Sequence, residues 1–380
     1  MAELRKAARD ARRIVVKVGS GVLTDRGALR RRIFTEIARQ VSELCDAGRE
    51  VVLVSSGSIA MGSRTLGWSH PGRSIPEKQA AAAVGQIGLS ELYRRRFTRY
   101  RRQVAQVLVT RGGLDDRERF LNARRTLATL LALGVVPVVN ENDTVATEEI
   151  RFGDNDSLSA TVVNLVAAEL LVILTDVDGL HTRVPEPGKH KPPLYGVIES
   201  ITPEIERAAG GSSSAFGRGG MVTKLAAARS AAQSGAATVL CNGRTRNVIT
   251  RVAAGEPLGT LIASGSRLAS RKHWLAFTAH PRGRLVVDQG AVRALVEKGR
   301  SLLPAGIVGV EGSFGIGDPV SCVDQRHREF ARGLVAYAAA DVHRIQGAST
   351  RKIAQLLGYS NGDEVIHRDD LVILAGDLRE

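Results

Sequence analysis

The sequence contains few cysteines, and their arrangement gives no sign of a metal or redox centre. Its 380 residues include three cysteines, Cys45, Cys241 and Cys322, which lie far apart and form no CxxC pair. The eight histidines form no HExxH or similar ligand spacing. Because structural zinc sites use closely spaced Cys and His ligands, the sequence predicts reduced thiols and no structural zinc.

Long apolar runs are absent as well. No stretch approaches the roughly 18 apolar residues that a membrane-spanning helix requires, because residues such as Glu169 interrupt the longest candidates. The Arg-rich residues 1–13 contain Glu3 and Asp10 but no serine, which argues against a transit peptide and favours a short surface helix. We therefore expect a soluble, cytoplasmic protein without a membrane partner.

Acidic residues are outnumbered, 39 against 53 basic ones, and the formal net charge is +14 at pH 7. Clustered Lys and Arg bind phosphate backbones, so nucleic acid is one partner hypothesis. From residue 278 onward, however, 13 basic residues balance 13 acidic ones. The densest basic patch, YRRRFTRYRRQ at residues 93–103, ends a predicted helix and is more typical of a solvated helix face. A nucleic-acid partner is therefore not expected.

Continuous apolar runs alternate with segments whose apolar residues have helical spacing, over the first two thirds of the chain. Continuous β-branched runs predict strands at 14–18, 51–54, 104–109, 135–139, 170–174 and 237–241. Ala- and Leu-rich segments predict helices at 31–47, 78–97, 121–133, 157–168 and 222–234. This alternation predicts an α/β fold, with a mainly parallel sheet sandwiched by helices.

The alternation of strand and helix patterns ends at about residue 277. Short strand candidates follow at 284–288, 306–311, 319–323 and 333–337, separated by turn residues. The chain is long enough for two domains. We predict an α/β domain over 1–265, a linker over 266–277 and a small, mostly-β domain over 278–375.

Polar residues follow four of the predicted parallel strands. They lie at 19–21, 55–58, 140–143 and 175–179, where ligands bind in sheets of this kind. Lys17 precedes the first of these turns by two residues. A buried ammonium needs an anionic partner, and a phosphate at the glycine-rich turn would supply one. The alternative is an edge lysine that is exposed to water.

A second basic candidate ends the small-residue stretch GGSSSAFGRGGMVTK at residues 210–224. Such a stretch predicts a mobile loop whose backbone amides wrap a phosphate chain, although a plain flexible linker is the alternative. The pattern GxxxxGK[ST] is not met, because Lys224 is followed by Leu225. A cation in the first turn of a helix is unfavourable by itself, so the position of Lys224 favours the phosphate interpretation.

Residues 139–160 hold six carboxylates and three asparagines against one base, Arg151. Helix capping by Asp156 or Ser157 explains one of these acids but not all of them. An EF-hand is excluded, since Leu165 occupies the position of its terminal glutamate. A general acid/base pair would require a substrate from which a proton must be moved.

Seven short motifs occur in an order and at a spacing that are typical of a known enzyme family. They are VKVGSGVLT, VSSGSIAMG, DRERFLNAR, VNENDTVAT, FGDNDSLSA, LTDVDGL and GGMVTKL. Together they resemble the glutamate 5-kinases of the amino acid kinase family. The resemblance runs from about residue 12 to 375, because LLPAGI and VIHRDDL look like the appended PUA domain of those enzymes.

This resemblance implies an amino acid kinase fold and the ATP-dependent phosphorylation of the γ-carboxylate of L-glutamate, the first step of proline biosynthesis. A carboxylate with a pKa of about 4.3 is ionised at neutral pH and needs no general base. Catalysis then reduces to positioning and charge neutralisation. The alternatives are an aspartate or acetylglutamate kinase, or an RNA-binding protein that acts through its PUA domain.

The resemblance also assigns residues. The catalytic pair would be Lys17 and Lys224. The ATP site would comprise Lys17, Thr175, Asp176, Arg218, Gly219, Gly220, Met221, Val222, Thr223 and Lys224. Glutamate would be held by Ser56, Asp143, Asn155 and Asp156. Asp154 and Asp156 either take the substrate ammonium or orient the lysines. Relatives commonly have Thr-Gly-Gly where this chain has Arg218-Gly219-Gly220, so the role of Arg218 stays open.

Further expectations concern partners. The resemblance implies Mg²⁺ as a companion of ATP, proline as a feedback inhibitor near the glutamate pocket, and a homo-oligomer. The sequence itself predicts no dedicated metal cage, as is usual for an ion that substrate phosphates and water largely hold.

Overall fold

The structure is a computed structural model that describes residues 2–25, 28–110, 113–114, 117–145, 155–185, 188, 190–210, 220–264 and 281–374. The chain forms two compact units, Met1–Gly265 and Ser266–Glu380. The predicted linker, 266–277, lies outside the described residues. The predicted domain limits therefore stay a prediction.

The first unit is built on one eight-stranded sheet. Its strands are β1 (Arg13–Val18), β4 (Glu50–Ser55), β5 (Val104–Val109), β6 (Val136–Glu141), β7 (Leu170–Thr175), β8 (Val197–Ile198), β9 (Ala237–Asn242) and β10 (Thr260–Ile262), and a separate two-stranded ribbon pairs β2 (Thr24–Asp25) with β3 (Ala28–Leu29). The order is β5-β6-β4-β1-β7-β9-β10-β8. All pairings are parallel except β9 with β10. The predicted α/β class is confirmed.

Helices cover both faces of this sheet. They are α1 (Ala2–Asp10), α2 (Ser20–Leu23), α3 (Arg31–Asp46), α4 (Ser58–Thr65), α5 (Ile75–Thr98), α6 (Arg117–Ala132), α7 (Asn155–Val166), α8 (Pro203–Ala208), α9 (Met221–Gln233) and α10 (Val248–Ala253). Residues of α1, α3, α5 and α10 share one hydrophobic core, whereas residues of α6, α7, α8 and α9 share the other. The five predicted helices are confirmed, but the shorter helices α2, α4, α8 and α10 were not predicted.

Strand β1 shows why the sheet is buried on both sides. Successive side chains of a strand point to opposite faces. Ile14 and Val16 accordingly belong to the core under α3, whereas Val15 belongs to the core under α7 and α9. The same alternation places Lys17 on the α7 and α9 face. A strand that is apolar on both faces has no solvent side, which matches its continuous apolar sequence.

The predicted N-terminal helix is present as α1, but it is anchored rather than only superficial. Arg5 is 7% exposed. Its guanidinium donates to the carbonyl oxygens of Glu256 at 2.9 Å and Gly196 at 3.0 Å. Carbonyl groups near the sheet edge therefore fix the helix on the first unit.

The basic patch at residues 93–103 behaves as a solvated helix face. Arg94 and Arg95 both form ion pairs with Glu91, at 2.6 and 2.5 Å, and Arg102 pairs with Asp46. Ion pairs three or four residues apart are ordinary for an exposed helix. In the part of the chain that the structure describes, no helix is long and apolar enough to cross a membrane.

The second unit contains a five-stranded sheet in the order β12-β11-β13-β14-β15. The strands are β11 (Gly283–Val287), β12 (Ile307–Gly312), β13 (Pro319–Val323), β14 (Glu329–Leu334) and β15 (Leu371–Ile373), and the helices are α11 (Gln289–Val296), α12 (Ala339–Ile345) and α13 (Ile353–Leu357). The predicted strand 333–337 was wrong in position. Val335 and Tyr337 are buried but lie beyond β14, where the Tyr337 hydroxyl donates to the Gly362 carbonyl oxygen at 2.5 Å.

Candidate functional site

Two lysines and one carboxylate form the centre of the candidate site. The Lys17 ammonium lies 2.6 Å from Asp156 Oδ1, and the Lys224 ammonium lies 3.2 Å from Asp156 Oδ2. All three side chains are less than one tenth exposed. The interpretation of Lys17 as a water-exposed edge residue is therefore wrong. Its anionic partner is Asp156, a side chain of residues 139–160, which we call the acid-rich stretch.

The local fold explains how the three groups meet. Lys17 lies one residue before the end of β1, Lys224 ends the first turn of α9, and Asp156 lies in the first turn of α7. The predicted capping role of Asp156 or Ser157 was wrong, because α7 already begins at Asn155. The Asp156 carboxylate instead faces the lysines, and it also accepts a hydrogen bond of 2.8 Å from Thr223 Oγ1.

Electrostatics keeps Asp156 ionised. Burial alone would raise the pKa of its carboxyl, but the charges of Lys17 and Lys224 outweigh burial and hold the pKa below its usual value. The three groups carry one net positive charge. A buried arrangement with excess positive charge is suited to an incoming anion.

The glycine-rich turn after β1 lies beside this cluster. A Cβ atom at Gly19 would stand 3.7 Å from the Lys17 ammonium nitrogen, and one at Gly21 would stand 3.1 Å from Asp176 Oδ2. At Gly21 glycine thus lets the backbone approach the Asp176 side chain closely, whereas the distance at Gly19 is an ordinary contact. Thr175 is buried, and its hydroxyl donates to Asp176 Oδ1 at 3.2 Å. The structure places Thr175 and Asp176 next to the turn, as expected for a shared ligand site.

Asn155 organises the neighbouring polar pocket. Its Nδ2 lies 2.7 Å from the Ser55 carbonyl oxygen, 3.0 Å from Ser56 Oγ and 3.0 Å from Asn140 Oδ1. Its Oδ1 is buried and has no hydrogen-bond partner among the described residues. A buried acceptor without a partner is unfavourable, so this oxygen is available to a donor group of a ligand.

Asp143 begins a short 3₁₀ turn after β6 and has a different environment. It is 7% exposed and accepts a hydrogen bond of 3.2 Å from Ser58 Oγ. Burial raises the pKa of its carboxyl to about 6, and the Ser58 bond offsets only part of that effect. A cavity of about 250 Å³ adjoins it, lined also by Gln86 and Glu141. A cationic ligand group in this position would relieve the cost of the buried charge.

Sequence reasoning missed the polar residues that support Asn155. Asn140 Nδ2 donates to Gln86 Oε1 at 2.9 Å, and Gln86 Nε2 donates to Ser90 Oγ at 3.1 Å. Asn140 was visible as a polar residue at a strand end, but Gln86 belongs to an Ala-rich helix with no local sign of function. Ser58 was likewise recognised only as part of a polar turn.

Not every assigned residue can be placed. Asp154, Arg218 and Gly219 lie outside the described residues, as does the rest of the predicted phosphate loop at 211–219. Gly220 caps α9 without a side-chain hydrogen bond; of the two residues after it, Met221 is half-buried and Val222 is exposed. The structure therefore brings together Lys17, Lys224, Asp156 and Thr223 on one side and joins Ser56 to Asn155 on the other. Asp143 lines the cavity beside Gln86, which bonds to the Asn155 partner Asn140.

Among the residues described, no group of three or more His, Cys, Asp or Glu side chains could hold a metal ion. Asp156 is already engaged by two lysines. Oxygen atoms of a bound substrate and of water are suitable further ligands for a divalent cation at this site.

Comparisons with known proteins extend over nearly the whole chain. The model of the amino acid kinase family matches residues 12–242, and that of the PUA domain matches residues 283–357. Glutamate 5-kinase from Paraburkholderia phymatum is 49% identical over 376 residues, which cover 98% of this chain and all of the relative. Glutamate 5-kinase from Ralstonia nicotianae is 50% identical over 374 residues, with the same coverage.

Proposed function

Because this chain belongs to the amino acid kinase family, we propose that it transfers the γ-phosphoryl group of ATP to the γ-carboxylate of L-glutamate. The product is L-glutamyl 5-phosphate, which opens proline biosynthesis. Full-length relatives at about half identity carry the name of this activity. The observation that carries the proposal is the pair of buried lysines on Asp156, with a second pocket whose buried Asp143 carboxylate faces no described cation.

The chemistry needs no proton transfer. An oxygen of the ionised γ-carboxylate attacks the γ-phosphorus, the bond to the β–γ bridging oxygen breaks, and ADP leaves with that electron pair. Negative charge develops on the transferring phosphoryl group and on the leaving oxygen. Lys17 and Lys224 neutralise this charge, and preorganised cations in a water-poor site are effective in that role.

Asp156 acts in this proposal by holding both ammonium groups in place. A single carboxylate that contacts both lysines fixes their separation before ATP arrives. This arrangement supports the lysine-orienting role for Asp156 over direct contact with the substrate ammonium.

Glutamate would bind with its amino-acid end in the second pocket. The α-ammonium group would face the Asp143 carboxylate and the open Asn155 Oδ1, which both accept hydrogen bonds. Ser56, bonded to Asn155, would contact the α-carboxylate. This orientation leaves the γ-carboxylate free to point toward the lysines.

The remaining expectations belong to the same proposal. Mg²⁺ would accompany ATP and supply charge neutralisation at its phosphates, with the phosphate oxygens and water as its main ligands. Residues 218–224 would close over the nucleotide. Proline would inhibit near the glutamate pocket, and the enzyme would work as a cytoplasmic homo-oligomer.

A hydroxylamine trap tests the activity. The full chain is incubated with ATP, Mg²⁺ and either glutamate, aspartate or acetylglutamate, and acyl phosphate is measured as the hydroxamate. We expect product with glutamate and much less with the other two acids. Turnover of aspartate or acetylglutamate without turnover of glutamate would refute the substrate assignment but leave the carboxylate-kinase class intact. Hydroxamate from none of them would refute the class.

A further inference from the structure

A second polar cavity lies on the other side of the sheet from the lysine cluster. It measures about 720 Å³ and is lined by residues of α3 and of the loop that follows β9. Its charged lining residues are Arg32, Glu36, Arg39, Arg244 and Arg246, and we call it the arginine cleft. The apolar sides of α3 and α10 pack on one face of the sheet, and the side chain of Val15 points to the opposite face. The side chain of Lys17 points to the Val15 face.

The arginine cleft carries excess positive charge. Arg39 is held by Glu36 at 3.2 Å and by Glu43 at 2.5 Å, so the one lining carboxylate is already neutralised. Arg32 and Arg246 are exposed, and their guanidinium groups have no acidic partner among the described residues. Four lining arginines against Glu36 and the adjacent Glu43 leave two positive charges around a single cavity.

The walls of the cleft are fixed by hydrogen bonds that need no ligand. Gln40 Oε1 accepts from the backbone N–H of Ile249 at 2.8 Å, and Arg39 Nη2 donates to Asn247 Oδ1 at 2.5 Å. These bonds tie α3 to the start of α10. Binding groups on a prearranged frame lose little conformational freedom when a ligand arrives, which favours binding.

We propose that the arginine cleft binds a phosphorylated small molecule at a site separate from that of the transferred phosphoryl group. Guanidinium groups match phosphate oxygens in planar, paired hydrogen bonds, and Arg is preferred over Lys for such recognition. The volume falls within the range of small-molecule sites, roughly 300 to 1,000 Å³. The guanidinium groups of Arg32 and Arg246, which meet no carboxylate in the described part of the chain, are available for the phosphate.

Arg244 is less suitable for testing the site. Its Nη2 donates to the Gly21 carbonyl oxygen at 3.1 Å, and the preceding residue, Gly243, donates its N–H to the Thr175 carbonyl oxygen at 2.8 Å. A change at Arg244 would therefore disturb the proposed nucleotide site. Arg32 and Arg246 have no such connection.

The test is calorimetric titration of the full chain with inorganic pyrophosphate, in the presence of a saturating non-hydrolysable ATP analogue. The analogue fills the nucleotide site, so the remaining binding reports a second site. We expect the double variant Arg32→Ala/Arg246→Ala to bind pyrophosphate at least tenfold more weakly than the wild type. A matched control, Arg31→Ala/Arg99→Ala, removes two exposed arginines outside the cleft and should keep the wild-type affinity.

Three results would overturn the proposal: no binding to the wild type, equal affinity in the cleft variant, or an equal loss in both double variants. The last would indicate a general effect of surface charge. If the double variant does not fold, either single substitution allows the same comparison. Parallel titrations with AMP and glycerol 3-phosphate distinguish nucleotides from other organic phosphates. Because the readout compares the cleft variant with the control variant, failure of this proposal is distinguishable from failure of the proposed activity.

Discussion

Asp143 gives the sharpest test of how the pocket is built. Its carboxyl is buried, its one described hydrogen bond comes from Ser58, and no described cation faces it. Such a group weakens the fold when it is ionised. We expect Asp143→Asn to stabilise the protein at neutral pH and to weaken glutamate binding, because an amide needs no counter-charge but cannot pair with the α-ammonium group.

The magnitude follows from the pKa. Burial raises the pKa of Asp143 from 3.8 to about 6, a shift of about two units, and each unit corresponds to about 1.4 kcal/mol. The folded state holds the proton more tightly than the unfolded state. The wild type therefore loses about 3 kcal/mol of stability as the pH rises from about 4 to above 6. The Asn variant has no titrating group at this position and should not share that loss.

Urea unfolding followed by circular dichroism, repeated between pH 4 and pH 8, measures the effect. The stability difference between Asp143→Asn and the wild type should grow by about 3 kcal/mol over this range and level off above pH 7. Glu199→Gln, at an exposed carboxylate, serves as the control and should show no such growth. A difference that stays flat with pH would contradict the reasoning, and so would one that shrinks as the pH rises.

Two further predictions concern phosphoryl transfer and helix packing. Lys224→Ala should lower kcat about a hundredfold or more with little change in the KM for glutamate, measured by ADP release; an unchanged kcat would remove Lys224 from the transfer step. Gly85→Ala places a Cβ 1.8 Å from the Ser58 carbonyl oxygen and should cost about 1 to 3 kcal/mol in thermal unfolding. Gly88→Ala, whose Cβ meets only the flexible Met61 side chain at 3.2 Å, is the matched control and should not destabilise.

The main sheet could be predicted because its strands are continuous apolar runs. Burial on both faces leaves no polar side, so each run stands out from its surroundings. The seven motifs also predicted the family, which the family match confirms. In the second unit the apolar run after Gly333 misled the prediction. Val335 and Tyr337 are core residues of a connection rather than of a strand, and burial alone does not distinguish the two.

The site was predictable where its residues lie at strand ends. Lys17, Ser56 and Asp143 follow or end parallel strands, and the rule for such sheets places them at one edge. The supporting network was not predictable. Gln86 reaches Asn140 only because α5 packs close to β6, and that contact depends on the tertiary fold. A residue that acts only through contacts with other helices or strands leaves no local pattern in the sequence.

The acid-rich stretch contains two buried carboxylates in opposite electrostatic states. Asp156 contacts two cations, which hold its pKa below the usual value, whereas Asp143 faces none that the structure describes, and its pKa is raised to about 6. One end of the site thus has surplus positive charge and the other has a carboxylate that needs a cation. In the proposed reaction glutamate and ATP supply what each end requires, an ammonium group for Asp143 and phosphate for the lysines. The amino acid can satisfy both ends in one orientation, with its γ-carboxylate toward the phosphoryl donor. Exchanging the charge at either end should therefore weaken catalysis through misorientation as well as through lost affinity.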